Sequence, residues 1–124
     1  MPERMIADDE ILLLRIPPTP PWLVLPEHIT SANYKLGKQE KGLSVYRERI
    51  VSPGDVLNKP GVPPGCLLVW ATAGKVRSLK NGKGEPLFLD VIAVDDENDP
   101  GHAEIRGRFS RSVAKSLSLL FRRV

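Results

Sequence analysis

Residues 102–109 read His-Ala-Glu-Ile-Arg-Gly-Arg-Phe, an alternation of ionisable with small or apolar side chains. Successive side chains of a β-strand point to opposite faces. An extended backbone here puts His102, Glu104, Arg106 and Arg108 on one face, and Ala103, Ile105, Gly107 and Phe109 on the other. An imidazole and a carboxylate two residues apart on a strand stand about 7 Å apart at the backbone, close enough to act on one ligand. Such a pair offers proton transfer, metal ligation or stabilisation of developing charge. The same pattern also describes a solvated strand face with a local charge ladder, worth a few tenths of a kcal/mol per pair.

Three chemistries begin with this pair. A zinc deaminase motif opens with His-x-Glu, but needs a downstream Pro-Cys-x-x-Cys for its remaining ligands. The single cysteine, Cys66, lies upstream of His102. Ligand count therefore rules zinc out, and the sequence calls for no metal and no bound cofactor. Two-histidine phosphoesterases carry two His-x-Thr/Ser motifs as acid and base. His28-Ile29-Thr30 fits the first, whereas Glu104 occupies the hydroxyl position of the second and would repel a phosphate.

The third is carried by Arg15, Thr30-Ser31, Ser44 and Glu104, in that order. This order resembles the ADP-ribosyltransferases, small β-rich enzymes with an Arg or His on an early strand, a Ser/Thr-rich central strand and a late catalytic Glu. The resemblance implies Arg15 gripping phosphate, Ser44 shaping the pocket and Glu104 stabilising an oxocarbenium-like centre. His102 becomes a ligand-positioning neighbour.

The elements that must hold these residues are legible in outline. Glu10–Ile16 is an apolar run closed by proline and predicts a buried strand. Pro17-Pro18-Thr19-Pro20-Pro21 predicts an extended connector, because each proline fixes its own φ and restrains its predecessor. A short strand is expected at 22–25, and a loop or one irregular helical turn over 27–42. Leu43–Ile50 alternates as a strand with Leu43, Val45, Arg47 and Arg49 on one side. Ser52-Pro53-Gly54-Asp55 has N-cap, N1 and N3 residues for a short helix. Strands are expected at 66–71, 87–94 and 102–109, a short helix at 73–79 and a turn at Asn81-Gly82-Lys83-Gly84. Ser110 caps a last helix to about Arg122, with Val113, Leu117, Leu120 and Phe121 as its core stripe and Arg111, Lys115, Ser118 and Arg122 opposite. The sum is a single α+β domain, 1–124: about five strands, two short helices and a C-terminal amphipathic helix.

With 124 residues, 41% hydrophobic and 27% charged, the chain can bury a real core. One cysteine precludes an internal disulfide and points to a reducing, cytoplasmic setting. No signal peptide or bilayer-length apolar run is expected. The net charge of +3 is unevenly placed. Arg106, Arg108, Arg111, Lys115, Arg122 and Arg123 follow residue 105 with no acid among them, behind an acidic turn of Asp95, Asp96, Glu97 and Asp99. Lys35, Lys38, Lys41, Arg47 and Arg49 add cations for a stripe that could touch nucleic-acid phosphate. Scattered Trp22, Tyr34, Tyr46 and Trp70 make a poor base-stacking platform.

Other motifs are weaker. Arg15-x-x-Pro18-x-x-Pro21 matches an SH3-type ligand but directly follows a core strand. The acidic turn has Pro100 where a calcium-binding EF-hand loop needs Gly. Gly82-Lys83-Gly84 lacks phosphate-loop spacing.

Across most of the chain, Leu13-Leu14-Arg15, Thr30-Ser31-Ala32-Asn33-Tyr34, Leu43-Ser44-Val45 and Asp99-Pro100-Gly101-His102-Ala103-Glu104-Ile105-Arg106-Gly107 resemble a pattern of short uncharacterised bacterial proteins. That resemblance implies a bacterial cytosolic setting and assigns no activity.

Two functions follow. The first is a binding or accessory module that meets a protein partner or an anionic surface. Its contacts are Ser31, Tyr34 and Ser44, the 102–108 strand face with Arg106 and Arg108, and the helix residues Arg111 and Lys115. The second is a compact nucleotide-ligand enzyme using Arg15, Ser44, His102 and Glu104. An enzyme gathers Arg15, Ser31, Ser44, His102 and Glu104 around one concavity, and a module scatters them.

Overall fold

The apolar run Ile11–Ile16 forms strand β1, with only Arg15 interrupting it, and lies inside a six-stranded sheet. The computed structural model describes residues 5–19, 21–24, 28–36, 42–94 and 97–124. The remaining strands are β2 (Leu23–Val24), β3 (His28–Ile29), β4 (Leu43–Arg47), β5 (Leu67–Thr72), β6 (Asp90–Ala93), β7 (His102–Arg106) and β8 (Arg122–Arg123). Helices are α1 (Pro53–Leu57), α2 (Ala73–Arg77) and α3 (Arg111–Leu120), with a 3-10 turn over Ser31–Tyr34. The main sheet runs β6-β7-β4-β1-β5-β8 with every neighbour antiparallel, and β2 and β3 pair as a separate ribbon. The protein is of the α+β class.

Period-2 alternation gives this sheet two different faces. One carries Leu12, Leu14, Ile16, Val45, Val69, Val91, Ala103 and Ile105, packed with Val76, Val113, Leu117 and Tyr34 from α2, α3 and the 3-10 turn. Each fully buried Leu, Ile or Val there contributes roughly 1.5–3 kcal/mol. The other face is apolar only where α1 covers it, with Leu13, Tyr46 and Leu68 against Val51 and Val56. Towards β7 that second face is polar, with His102, Glu104 and Arg106, and Ile92 of β6 stands exposed beside Glu104.

Both expected serine caps form. Ser52 Oγ accepts from the Asp55 amide at 3.2 Å and Ser110 Oγ from the Val113 amide at 3.3 Å. Replacing Ser110 with Ala should cost about 1 kcal/mol, since an orphan amide at the start of α3 loses its acceptor. Thermal unfolding checks this, with a midpoint lowered by a few degrees.

Several boundaries differ from expectation. The last helix stops at Leu120 rather than near Arg122, because Phe121 turns extended to bury its ring, with centroids 5.5 Å from Tyr34. Arg122 and Arg123 then hydrogen-bond along the edge of β5, opposite Trp70 and Val69, a strand that helical periodicity concealed. The strand expected from residue 87 begins at Asp90, since Phe88 takes a left-handed φ of 53°. β4 ends at Arg47, whose carbonyl accepts from the Ile50 and Val51 amides in a turn. Within the expected 27–42 loop, the described residues form β3 and the 3-10 turn. Lys38, Lys41, Asp95 and Asp96 lie outside the described residues.

Arg47 corrects a charge expectation. The phosphate-touching stripe expected from the sequence includes it, but its side chain is fully enclosed beneath the sheet. Nε and Nη2 donate to the two oxygens of Glu10 at 2.8 and 2.9 Å. Both residues fall on the helix-covered side by the alternation of their strands, so each needs the other.

Candidate functional site

β1, β4 and β7 are neighbours, and the odd and even positions of each decide what reaches the open face. Arg15 from β1, Ser44 and Tyr46 from β4, and His102, Glu104 and Arg106 from β7 all emerge there. The register sets Ser44 opposite Glu104 and Tyr46 opposite His102. His102 then leans along the diagonal, bringing Nε2 to 3.1 Å from Ser44 Oγ. Its Nδ1 is 3.5 Å from Asp99 Oδ2, in the turn just before β7. Arg106 holds Glu104 in place, with Nε and Nη2 both 2.9 Å from Oε1.

Tyr46 stands at the centre of this group. Its hydroxyl donates to Asp99, 3.0 and 3.1 Å from the two oxygens. The ring lies 5.5 Å from the His102 ring, 5.5 Å from Arg15 Cζ and 4.8 Å from Lys59 Nζ. Lys59 also reaches Asp99 Oδ1 at 3.0 Å. Burial opposes ionisation of Asp99, yet hydrogen bonds from Lys59 and Tyr46 and the charges of Lys59 and His102 outweigh it and lower the pKa of its carboxyl. The Tyr46 hydroxyl is raised by burial and by its bond to that carboxylate, against a smaller opposing pull from Arg15. Asp99 is thus a fixed anion at the base of the polar face.

Beside this group lies a cleft of about 240 Å³. Arg15, Ser44 and Tyr46 form one wall, and Trp22, Ala32, Asn33 and Lys35 another. Trp22 is 38% exposed. Asn33 is 92% enclosed, and its amide donates to the carbonyls of Trp22 and Thr30 at 2.9 Å each. Its Oδ1 has no hydrogen-bond partner among the described residues. Ser31 opens the 3-10 turn that brings Ala32 and Asn33 to the cleft. Among the described residues, no group of three or more His, Cys, Asp or Glu is placed to hold a metal ion, and no helix is long and apolar enough to cross a membrane.

The structure therefore gathers Arg15, Ser44, His102 and Glu104 on one face of three adjacent strands, but of the five residues expected around one concavity only Arg15 and Ser44 line the cleft. It separates the rest. Tyr34 is a core residue, 1% exposed against Phe121, and is closed to any ligand or partner. Arg111 and Lys115 project from α3, which packs on the opposite side of the sheet from His102 and Glu104. Arg108 is exposed beyond the end of β7. The strand face and the basic helix thus cannot form one flat contact surface. Sequence reasoning overlooked Tyr46, Lys59, Asn33 and the position of Asp99. Tyr46 shares parity with Ser44 on its strand, a readable signal, and Asp99 precedes His102 by three residues. Lys59 has no such signal, because the fold of α1 across the sheet brings it there.

Comparisons with protein-family models, curated proteins and solved structures find no match for this chain.

Proposed function

We propose that this protein is a compact enzyme acting on a nucleotide-type ligand in the manner of an ADP-ribosyltransferase. The observation that supports this best is that Arg15, Ser44 and Glu104, from β1, β4 and β7, share one open sheet face beside a cleft. A phosphate-bearing ligand needs a fixed guanidinium, which forms short charge-assisted bonds to its oxygens. Arg15 serves that need, with Lys35 across the cleft as a second cation. Trp22 offers an aromatic wall for a base or nicotinamide ring. Cleavage of the ribosyl–nicotinamide bond develops positive charge at the sugar carbon, and a positioned carboxylate stabilises it. Glu104, held by Arg106, takes that role, while Ser44 and His102 orient the sugar.

The alternative of a binding module with a bacterial cytosolic partner has less support. Its contact residues fall on two sides of the sheet, and one of them is in the core.

Titration with ADP-ribose, followed by calorimetry and by intrinsic tryptophan fluorescence, tests the reading. Wild-type protein should bind, and Arg15→Ala should weaken binding about 10- to 100-fold, as expected for a lost charged hydrogen bond. No binding at millimolar ligand, or equal affinity in the variant, would contradict it.

A further inference from the structure

Asp99, His102 and Ser44 form a line of three groups, a linkage that orienting a sugar does not require. Asp99 Oδ2 is 3.5 Å from His102 Nδ1, and His102 Nε2 is 3.1 Å from Ser44 Oγ. Nucleophilic serine chemistry needs this order: a carboxylate that fixes the imidazole, an imidazole that accepts the hydroxyl proton, and a hydroxyl that substrate can reach. Asp99 lies within ion-pair distance of Nδ1, Nε2 lies within hydrogen-bond distance of Ser44 Oγ, and Ser44 is exposed. Asp99 is itself anchored by Lys59 and by the Tyr46 hydroxyl. The His102 ring is held beside the Tyr46 ring. Ser44 is solvent-exposed and lines the 240 Å³ cleft with Arg15.

We infer that Ser44 is a nucleophile activated by His102, giving the protein a second activity: acyl transfer from small carboxylic esters. Ser44 Oγ bonds to the ester carbonyl carbon as its proton passes to His102 Nε2. Arg15, the cation on the same wall, faces the charge that develops on the carbonyl oxygen. The bond from carbon to the alkoxy group breaks, and the alkoxide leaves as an alcohol carrying the proton from Nε2. Water then attacks acyl-Ser44, giving its proton to Nε2, and Ser44 Oγ recovers that proton as the carboxylic acid departs. Asp99 is a positioning residue throughout, holding Nδ1 protonated and Nε2 free to accept.

The inference goes beyond the nucleotide reading and does not depend on it, because a phosphate-free probe tests it. Full-length protein is treated with an alkyl fluorophosphonate, and the modified residue is located by peptide mass spectrometry. The result expected is a single adduct on Ser44, forming about 100-fold more slowly in His102→Gln. In wild-type protein alone, the labelling rate should rise with pH, as general-base assistance requires. Either an unmodified Ser44, or labelling that is flat with pH, or equal labelling of the His102→Gln protein, would overturn it. Labelling without ADP-ribose binding would sink the nucleotide reading and leave this one standing.

Discussion

Arg47→Met should destabilise the protein by about 3–5 kcal/mol at neutral pH, because it strands the Glu10 carboxylate beneath the sheet without its partner. The pair is enclosed and bidentate, with Arg47 fully buried and Glu10 Oε2 also accepting from the Ala7 amide at 2.9 Å. Among the described residues, Arg49, 3.8 Å away and largely exposed, would remain as a counter-charge. Chemical denaturation at neutral pH measures the loss, and a change under about 1 kcal/mol would show that the pair carries no such weight. The pH dependence has a defined sign. Burial pushes the Glu10 carboxyl up, but hydrogen bonds from Arg47 and Ala7 and the charges of Arg47 and Arg49 bring it below its ordinary value. A lowered folded-state pKa means stability present above the unfolded value near 4.5 and lost as pH falls through the folded one. In Arg47→Met that dependence should reverse, since an unpartnered buried carboxyl is best accommodated protonated. Replacing both residues with apolar ones should restore much of the stability.

Gly101→Ala is expected to cost roughly 2–4 kcal/mol and to disturb the site as well. Gly101 is buried in the turn before β7 at φ +81°, a conformation that a side chain strains. An added Cβ would overlap Val51 Cγ2, which belongs to the small core under α1 and cannot swing aside. The Gly101 carbonyl also accepts from the Arg47 amide at 2.9 Å, so the turn is tied to β4. Any shift of the turn moves its neighbour His102, whose ring must stay within reach of Ser44. Thermal unfolding should show the midpoint falling by on the order of 10 °C. The imidazole resonances of His102 should move in the same variant. An unchanged midpoint would mean that the turn relaxes freely.

Much of this was legible in the chain. The alternation in 102–106 and in 43–47 assigned the right residues to each face, because a strand has only two sides and one must be apolar, whereas the strand expected through 109 ends at Arg106. Ser52 and Ser110 marked helix starts through hydroxyls that only capping explains. What stayed hidden depends on contacts between distant segments. Arg47 reads as one more surface cation until Glu10 is known to lie beside it, 37 residues away in sequence. Arg122 and Arg123 fit a helical stripe, yet the unpaired edge of β5 takes them as a strand. The cleft needs the 3-10 turn to approach β1 and β4, and no local pattern near Asn33 announces that. Neighbouring strands, not any motif, bring Arg15, Ser44 and Glu104 together.

The release of nicotinamide from NAD tests the central claim most directly. Wild-type protein is incubated with NAD, free nicotinamide is quantified over time, and Glu104→Gln is run beside it after its fold has been checked by circular dichroism. Wild-type protein should release nicotinamide above the uncatalysed rate, and the Glu104→Gln protein should fall by about 100-fold or more, since the amide keeps the shape and loses the charge that stabilises the sugar cation. Release that is absent in wild-type protein, or equal in the two proteins, would contradict the assignment of Glu104 and of the shared face to this chemistry.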